Sequence, residues 1–188
     1  ILYVAYIDFK ATQFGASMRP QRMYRAFLDG GHEVKLLAVS QNRDAWARRR
    51  AAVEEVSRWL DETPPDLCYF ESPVYPILMD CDYRLIHKIH RLGIPMGYYY
   101  RDCHRRFPEL FPPRGFAGML KERYLDAKQR HTDKILRLMD IVYFPTRCFF
   151  DIFDYDDMRA LPPGGENKLG ISGPEKNTCI YVGGIVQT

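Results

Sequence analysis

The 188-residue length and the composition describe one well-buried domain. Hydrophobic residues make up 46% of the chain and aromatic residues 14%, which argues against disorder because aromatic burial offsets chain entropy. The formal net charge of +3 is too small to indicate nucleic-acid binding, and no apolar run approaches the ~20 residues of a membrane-spanning helix. Five cysteines without a CxxC pair predict reduced thiols in a cytoplasmic protein, rather than a disulfide framework or a zinc site.

In chain order, short apolar runs alternate with helical patterns. Leu2–Ile7 predicts a strand buried on both faces. The next helix should have Pro20 in its first turn and end at a left-handed cap at Gly30-Gly31, with one face formed by Met23, Ala26 and Phe27. The strand Glu33–Val39 leads to a helix that Asp44 would cap and that runs to about Leu60, with Val53, Val56 and Leu60 on its buried stripe.

The alternation continues through the second half. The predicted elements in order are a strand at Asp66–Glu71, a helix at Asp82–Leu92, a strand at Pro95–Tyr100, a long helix from Gly115 to about Met139, a strand at Ile141–Phe144, a short helix at Arg147–Phe153 and an edge strand at Ala160–Pro162. The helix at Asp82–Leu92 should turn Leu85, Ile86 and Ile89 inward and end at Gly93. Such alternation predicts an α/β fold with a parallel sheet and helices on both faces. Right-handed crossovers place the loops Asp8–Arg19, Glu71–Asp80 and Arg101–Arg114 at the carboxyl edge, where ligands bind in open α/β sheets.

The domain boundary is expected at about residue 165. The stretch Gly164–Asn177 is polar and contains glycines, which is typical of a linker, and Thr178–Ile185 predicts one more strand. We therefore divide the chain into a Rossmann-like domain at 1–165 and a linker with the first strand of a second domain at 166–188. The chain opens at Ile1 inside a strand-like run, with no Met and no signal peptide, so its start is expected to be trimmed. Its end is expected to be trimmed as well, because Val182-Gly183-Gly184-Ile185 resembles the opening of a further unit.

Four motifs follow one another along the chain: the helix from Arg19-Pro20 to the turn Gly30-Gly31-His32-Glu33-Val34, the strand Met139-Asp140-Ile141-Val142-Tyr143-Phe144-Pro145-Thr146, the turn Leu161-Pro162-Pro163-Gly164, and the strand Tyr181-Val182-Gly183-Gly184-Ile185. In type and order they resemble motifs of the retaining GT-B glycosyltransferases of the "glycosyl transferases group 1" type. The resemblance covers most of the chain. It implies that residues 1–165 form the amino-terminal, acceptor-side half of a GT-B enzyme, and that a second Rossmann-like domain would supply the donor-binding groups.

The resemblance implies a transfer of a sugar from a nucleotide sugar to a glycan or a lipid-linked acceptor. It implies no cofactor, because the nucleotide sugar is a substrate, and no metal ion is required if basic residues and helix dipoles stabilise the leaving diphosphate. The alternatives left open are a non-catalytic Rossmann-like domain that binds or regulates a partner, and, less favoured, a flavodoxin-like response domain. The latter would need an acidic cluster after the first strand, where Asp8 stands alone.

The first loop is a candidate substrate-binding segment. Gly15 permits close backbone approach, and the following helix start offers free N–H groups to an anion. By resemblance, Gly15, Ala16, Ser17 and Arg19 face the cleft near the donor phosphates and the acceptor. The structural alternative is a solvated loop in which Ser17 caps the helix.

The loop after the fourth strand carries the candidate catalytic residues. Asp102 and His104 could bond or orient an acceptor hydroxyl, and Arg101 and Arg105 beside them are candidate substrate-binding residues. So many polar groups are costly to bury without partners, which favours an open cleft. The alternative is a surface cluster of ion pairs.

Two further groups are weighed in the same way. Glu71, in a loop stiffened by Pro73 and Pro76, could touch substrate or have a structural role. His87 and His90 have helical spacing for a metal, but no third ligand completes a site, so a surface pair is favoured.

Two basic and aromatic patches are candidates for peripheral membrane contact. One contains Trp46 with Arg43, Arg48, Arg49 and Arg50, and the other contains Phe107, Leu110, Phe111 and Phe116 with Arg114 and Lys121. The alternative for both is a solvated helix face with core aromatics.

Overall fold

The computed structural model describes residues 1–9, 15–110, 112–113 and 115–162, and over these it shows an α/β fold built on a parallel sheet. The six strands are β1 (Leu2–Ala5), β2 (Lys35–Ala38), β3 (Cys68–Glu71), β4 (Met96–Tyr99), β5 (Ile141–Phe144) and β6 (Met158–Ala160). Their order in the sheet is β2-β1-β3-β4-β5-β6, and every pairing is parallel. The predicted Rossmann-like fold class is confirmed.

The four helices divide unequally between the two faces of the sheet. They are α1 (Gly15–Asp29), α2 (Trp46–Glu62), α3 (Asp80–Arg91) and α4 (Gly115–Leu136). Because successive side chains of a strand point to opposite faces, Leu2 and Val4 pack with residues of α2, α3 and α4, whereas Tyr3 and Ala5 pack with residues of α1. The predicted inward stripes of α2 and α3 are confirmed: Val53, Val56 and Leu60, and Leu85, Ile86 and Ile89 are buried.

The strand order reverses direction at β1. The connection through α1 takes the chain from β1 to β2 on one side, and the connection through α2 returns it to β3 on the other side of β1. The loops after β1 and β3 therefore diverge to opposite faces and leave a crevice at the carboxyl edge, which is where open α/β sheets bind ligands.

Several predicted helix details are wrong. Helix α1 begins at Gly15, so Pro20 lies in its second turn, and the Tyr3 hydroxyl donates a hydrogen bond to the Pro20 carbonyl at 2.9 Å. Ala26 is exposed, and Tyr24 takes its expected place beside Met23 and Phe27. Asp44 does not cap α2, because it lies in a 3-10 turn at Arg43–Ala45 that precedes the helix.

The glycine stops behave as predicted. Gly31 has φ +79° just after α1, and Gly93 has φ +67° after α3. Both values lie in the left-handed region that a side chain disfavours, so glycine ends each helix at low cost.

The last described elements are shifted relative to the prediction. The edge strand β6 spans Met158–Ala160 rather than Ala160–Pro162, because Val142 pairs with Met158 and Phe144 pairs with Ala160. The predicted helix at Arg147–Phe153 is a 3-10 turn at Arg147–Phe149 followed by turns. The predicted linker and final strand in 166–188 lie outside the described residues.

Candidate functional site

An ion pair between Arg19 and Glu71 lies at the carboxyl end of β3. Glu71 is the last residue of β3, and its side chain is 2% exposed. Arg19 reaches it from α1, with Nε 3.4 Å from Glu71 Oε2. The two residues were predicted to bind substrate from separate loops, and the fold brings them into direct contact.

Tyrosines surround this pair. Arg19 Nη2 donates to the Tyr69 hydroxyl at 3.2 Å, and the guanidinium carbon lies 3.4 Å from the centroid of the Tyr99 ring. The stacking fixes the plane of the guanidinium, since a cation is attracted to the face of an aromatic ring. Strands β3 and β4 thus hold Arg19 in one orientation.

Burial raises the pKa of Glu71 from 4.5 to about 7, although the charges of Arg19 and Arg101 lower it. A carboxyl group with such a pKa exchanges a proton at neutral pH. For Arg19, burial lowers the pKa, but Glu71 and Tyr69 outweigh that effect and the pKa is raised, so the guanidinium stays charged. The pair therefore combines a fixed cation with a titrating carboxyl group.

The pair is incompletely hydrogen-bonded within the described part of the chain. Glu71 Oε1 and Arg19 Nε are both buried and have no hydrogen-bond partner there. A buried acceptor and a buried donor without partners are costly, and native proteins keep few of them. Arg19 Nε faces Glu71 Oε2 in the ion pair, which leaves Glu71 Oε1 as an acceptor that could take a hydrogen bond from a hydroxyl group.

The other predicted residues of the first loop lie at the start of α1. Gly15, Ala16 and Ser17 all lie in its first turn, so Ser17 does not occupy the capping position before the helix. Its side chain is buried and lines the crevice between the loops after β1 and β3.

The candidate catalytic residues after β4 lie on the other side of the β3 loop. Asp102 accepts a hydrogen bond from Arg101 Nε at 3.1 Å, and His104 begins a 3-10 turn at His104–Arg106. Asp102 and His104 line a small pocket of about 20 Å³ together with Arg105 and the segment Ser72–Pro76. That volume holds about one water molecule and no sugar ring.

Arg105 is engaged by α4. Its guanidinium donates to Glu122 and Asp126, and its side chain is 9% exposed. These contacts hold the loop after β4 against α4. The surface ion-pair cluster considered from the sequence therefore describes Arg105 well, and its part in substrate binding stays a prediction.

Backbone contacts join the two sides of the site. Ser72 N donates to the Tyr99 carbonyl at 3.0 Å, and Arg101 N donates to Ser72 Oγ at 3.0 Å. The segment Pro73–Tyr75 lines both the pocket near His104 and the crevice near Ser17. The segments around Ser17 and His104 thus share one edge of the sheet, separated by the loop after β3.

The crevice near Ser17 is the larger opening, with a volume of about 680 Å³. Its walls are the loops after β1, β2 and β3, and Lys121 of α4 also lines it. Gln41 joins two of the walls: its side chain donates to the Pro76 carbonyl at 3.0 Å and accepts from Leu78 N at 3.1 Å. The Gln41 carbonyl also accepts the indole N–H of Trp46 at 2.8 Å, which orients this half-exposed ring at the crevice.

Arg49 was predicted in a surface patch, and this is wrong. Its side chain is fully buried and donates to both carboxylate oxygens of Asp82, and also to the carbonyls of Ala5 and Val39. The cation stacks on Tyr6 at 3.8 Å. Burial lowers the pKa of Arg49, but Asp82 and Tyr6 outweigh it and leave the pKa raised. Arg49 thus joins the carboxyl ends of β1 and β2 beneath the crevice.

A scan against protein-family models finds none that matches the chain. A search of curated proteins finds no match either.

Within the residues that the structure describes, neither a metal site nor a membrane-spanning helix is found. No group of three or more His, Cys, Asp or Glu side chains could hold a metal ion, and His87 and His90 are exposed on α3. No helix there combines the length and the apolar character needed to cross a membrane.

Sequence reasoning missed the buried Arg49–Asp82 pair and the bridging role of Gln41. For Arg49 a signal existed, because Arg49, Val53, Val56 and Leu60 follow helical spacing on one stripe of α2. For Gln41 no local signal existed, since its partners come from a loop that is distant in the sequence.

Proposed function

We propose that this chain supplies the acceptor-side half of a glycosyltransferase that moves a sugar from a nucleotide sugar to a glycan or lipid-linked acceptor. The observation that carries the proposal is the buried Arg19–Glu71 pair, in which Glu71 Oε1 has no hydrogen-bond partner within the described residues. The parallel sheet with an open crevice at its carboxyl edge and the four ordered motifs of the sequence support it.

In this proposal Glu71 hydrogen-bonds the hydroxyl of the acceptor that becomes the nucleophile. The hydroxyl oxygen forms a bond to the anomeric carbon of the sugar while the bond to the diphosphate breaks, and the hydroxyl must lose its proton. A carboxyl group with a pKa of about 7 is well matched to hold that proton near neutral pH. Arg19 places a fixed positive charge beside it, and Asp102 and His104 remain candidates for orienting the acceptor from the loop after β4.

The donor sugar nucleotide would bind mainly to a second Rossmann-like domain that closes over the crevice and excludes water.

Peripheral contact with anionic lipid is part of the same proposal. Trp46, Arg43, Arg48 and Arg50 are exposed around the start of α2 and support it.

The test is a screen of the natural full-length protein for release of nucleoside diphosphate from UDP- and GDP-sugars. We expect release with one class of donor, and we expect Glu71→Gln to lower the rate by about 100-fold, the scale of a lost general base. Glu62→Gln, an exposed carboxylate at the end of α2, is the matched control and should leave the rate unchanged. A Glu71→Gln rate equal to that of the unmodified protein would remove Glu71 from the proposed mechanism.

A non-catalytic binding domain is the second candidate. The loop after β4 favours it, because Arg105 and Arg106 both form ion pairs with carboxylates of α4 and so have a structural role there. Absence of diphosphate release from every donor, together with an encoded sequence after Thr188 that lacks a second α/β unit, would support this candidate over the transferase.

A further inference from the structure

The 680 Å³ crevice between the loops after β1, β2 and β3 has a lining of its own, separate from the Arg19–Glu71 pair. Its size lies within the range of small-molecule sites, which is about 300 to 1,000 Å³. Most of its lining surface is apolar, and Ile7, Trp46, Val74, Tyr75 and Leu78 are among the lining residues. Such a surface favours a ligand with an apolar body, because burying that body removes apolar area from water.

The large side chains at this crevice remain partly exposed. Trp46 is 40% exposed, Val74 48% and Tyr75 45%; Trp46 begins α2, and the other two lie in the loop after β3. Large apolar side chains that stay exposed next to a concavity mark ligand-binding grooves. The hydrogen bonds of Gln41 to Pro76 and Leu78 hold the two loops together, so the opening exists before a ligand arrives.

The charge at the crevice is positive. Arg43 and Lys121 line it, and Lys121 lies 5.9 Å from the centroid of the Tyr75 ring. Among the described lining residues Asp8 is the single carboxylate, and Arg48 already pairs with it at 3.2 Å. A negatively charged group on the ligand would therefore be attracted, whereas a cation would not.

We propose that this crevice binds one molecule of an anionic amphiphile, with its apolar chain against Trp46 and Tyr75 and its charged headgroup near Arg43 and Lys121. Binding itself is independent of catalysis.

Trp46 provides a direct reporter of binding. The chain has two tryptophans, and Trp59→Phe leaves Trp46 as the only one. The probe is dodecyl phosphate below its critical micelle concentration. We expect saturable binding with a blue shift of the Trp46 emission, weaker binding of the uncharged dodecyl maltoside, and no shift with inorganic phosphate alone.

Two pairs of variants in the Trp59→Phe background test the assigned contacts. Lys121→Gln should weaken dodecyl phosphate binding about fivefold, the effect of one surface cation on an anionic lipid group, without weakening dodecyl maltoside binding. Its control is Arg91→Gln, at the far end of α3, which should have no effect. Tyr75→Ala should weaken both amphiphiles, and its control is Leu92→Ala, since Leu92 is 46% exposed and lies away from the crevice.

The inference is overturned if dodecyl phosphate gives no saturable shift, or if Leu92→Ala weakens binding as much as Tyr75→Ala does. A shift with anionic vesicles but none with the monomeric probe would also overturn it, because Trp46 would then report contact with a bilayer surface. Failure of nucleoside diphosphate release with intact binding would reject the transferase and leave the amphiphile site standing.

Discussion

At the scale of single residues, the site depends on the position, the contacts and the burial of Glu71. Its position at the end of a strand was readable from the sequence, and so was its place at the ligand-binding edge of a parallel sheet. Its contact with Arg19 was not readable, because the two residues are brought together only by the packing of α1 on the sheet. The raised pKa was equally hidden, since it arises from burial by residues that are distant in the sequence.

The pKa of Glu71 makes the stability of the protein depend on pH. The folded-state pKa of about 7 lies above the ordinary value of 4.5, so the folded chain binds this proton more tightly than the unfolded chain. The resulting stabilisation is complete below pH 4.5 and is lost as the pH rises to 7. Between pH 5 and pH 8, the free energy of unfolding should fall by about 2 to 3 kcal/mol more in the unmodified protein than in Glu71→Gln.

Urea unfolding of both proteins at each pH measures this difference. Glu62→Gln should follow the unmodified protein at every pH, since its carboxylate is exposed. Parallel pH profiles for Glu71→Gln and the unmodified protein would show that Glu71 titrates normally.

At the scale of elements, helices α2 and α3 were predicted well because both carry apolar stripes with a period of 3.6 residues. Their starting points were predicted poorly. Aspartate is a preferred capping residue, but Asp44 lies within a 3-10 turn at Arg43–Ala45, and Ala45, the last residue of that turn, is buried. Ala45 therefore occupies the cap position of α2, where no side chain makes a capping hydrogen bond.

The pair Arg49–Asp82 connects α2 to α3 and should dominate the stability of that contact. Asp82→Asn leaves the guanidinium of Arg49 buried without a carboxylate, and should cost about 3 to 5 kcal/mol of unfolding free energy. Asp80→Asn is the matched control on the same helix: Asp80 is 78% exposed and pairs with Lys128, so its loss should cost under about 1 kcal/mol. Denaturant unfolding distinguishes the two, and equal costs would mean that burial does not strengthen the inner pair.

At the scale of the whole molecule, strand–helix alternation was enough to predict the parallel sheet and its ligand-binding edge. It was not enough to predict the strand order or which loops meet. The order places β3 between β1 and β4, so the loop after β3 separates the segments around Ser17 and His104. Strand order depends on which strand pairs with which over long sequence separations, and no local pattern encodes that choice.

Contact of the whole protein with anionic lipid is tested by liposome flotation at low salt. Removing two exposed cations near the start of α2, in the double variant Arg43→Gln and Arg50→Gln, should lower the bound fraction, by about fivefold in affinity for each charge. The double variant Arg58→Gln and Arg91→Gln removes the same charge from other exposed positions and serves as the control. No flotation of the unmodified protein with anionic vesicles would reject membrane contact.

The site depends on the docking of a single helix, because the helices cover the two faces of the sheet unequally. Among the described helices, α1 alone packs on the face that carries Tyr3, Tyr69 and Tyr99, and it also supplies Arg19. Detachment of α1 would let water reach Glu71, so the opened form would ionise more readily and opening should become more frequent above pH 7. A hydroxyl that donates a hydrogen bond to Glu71 Oε1 would oppose that opening, so that occupancy of the site and docking of α1 form a single coupled equilibrium.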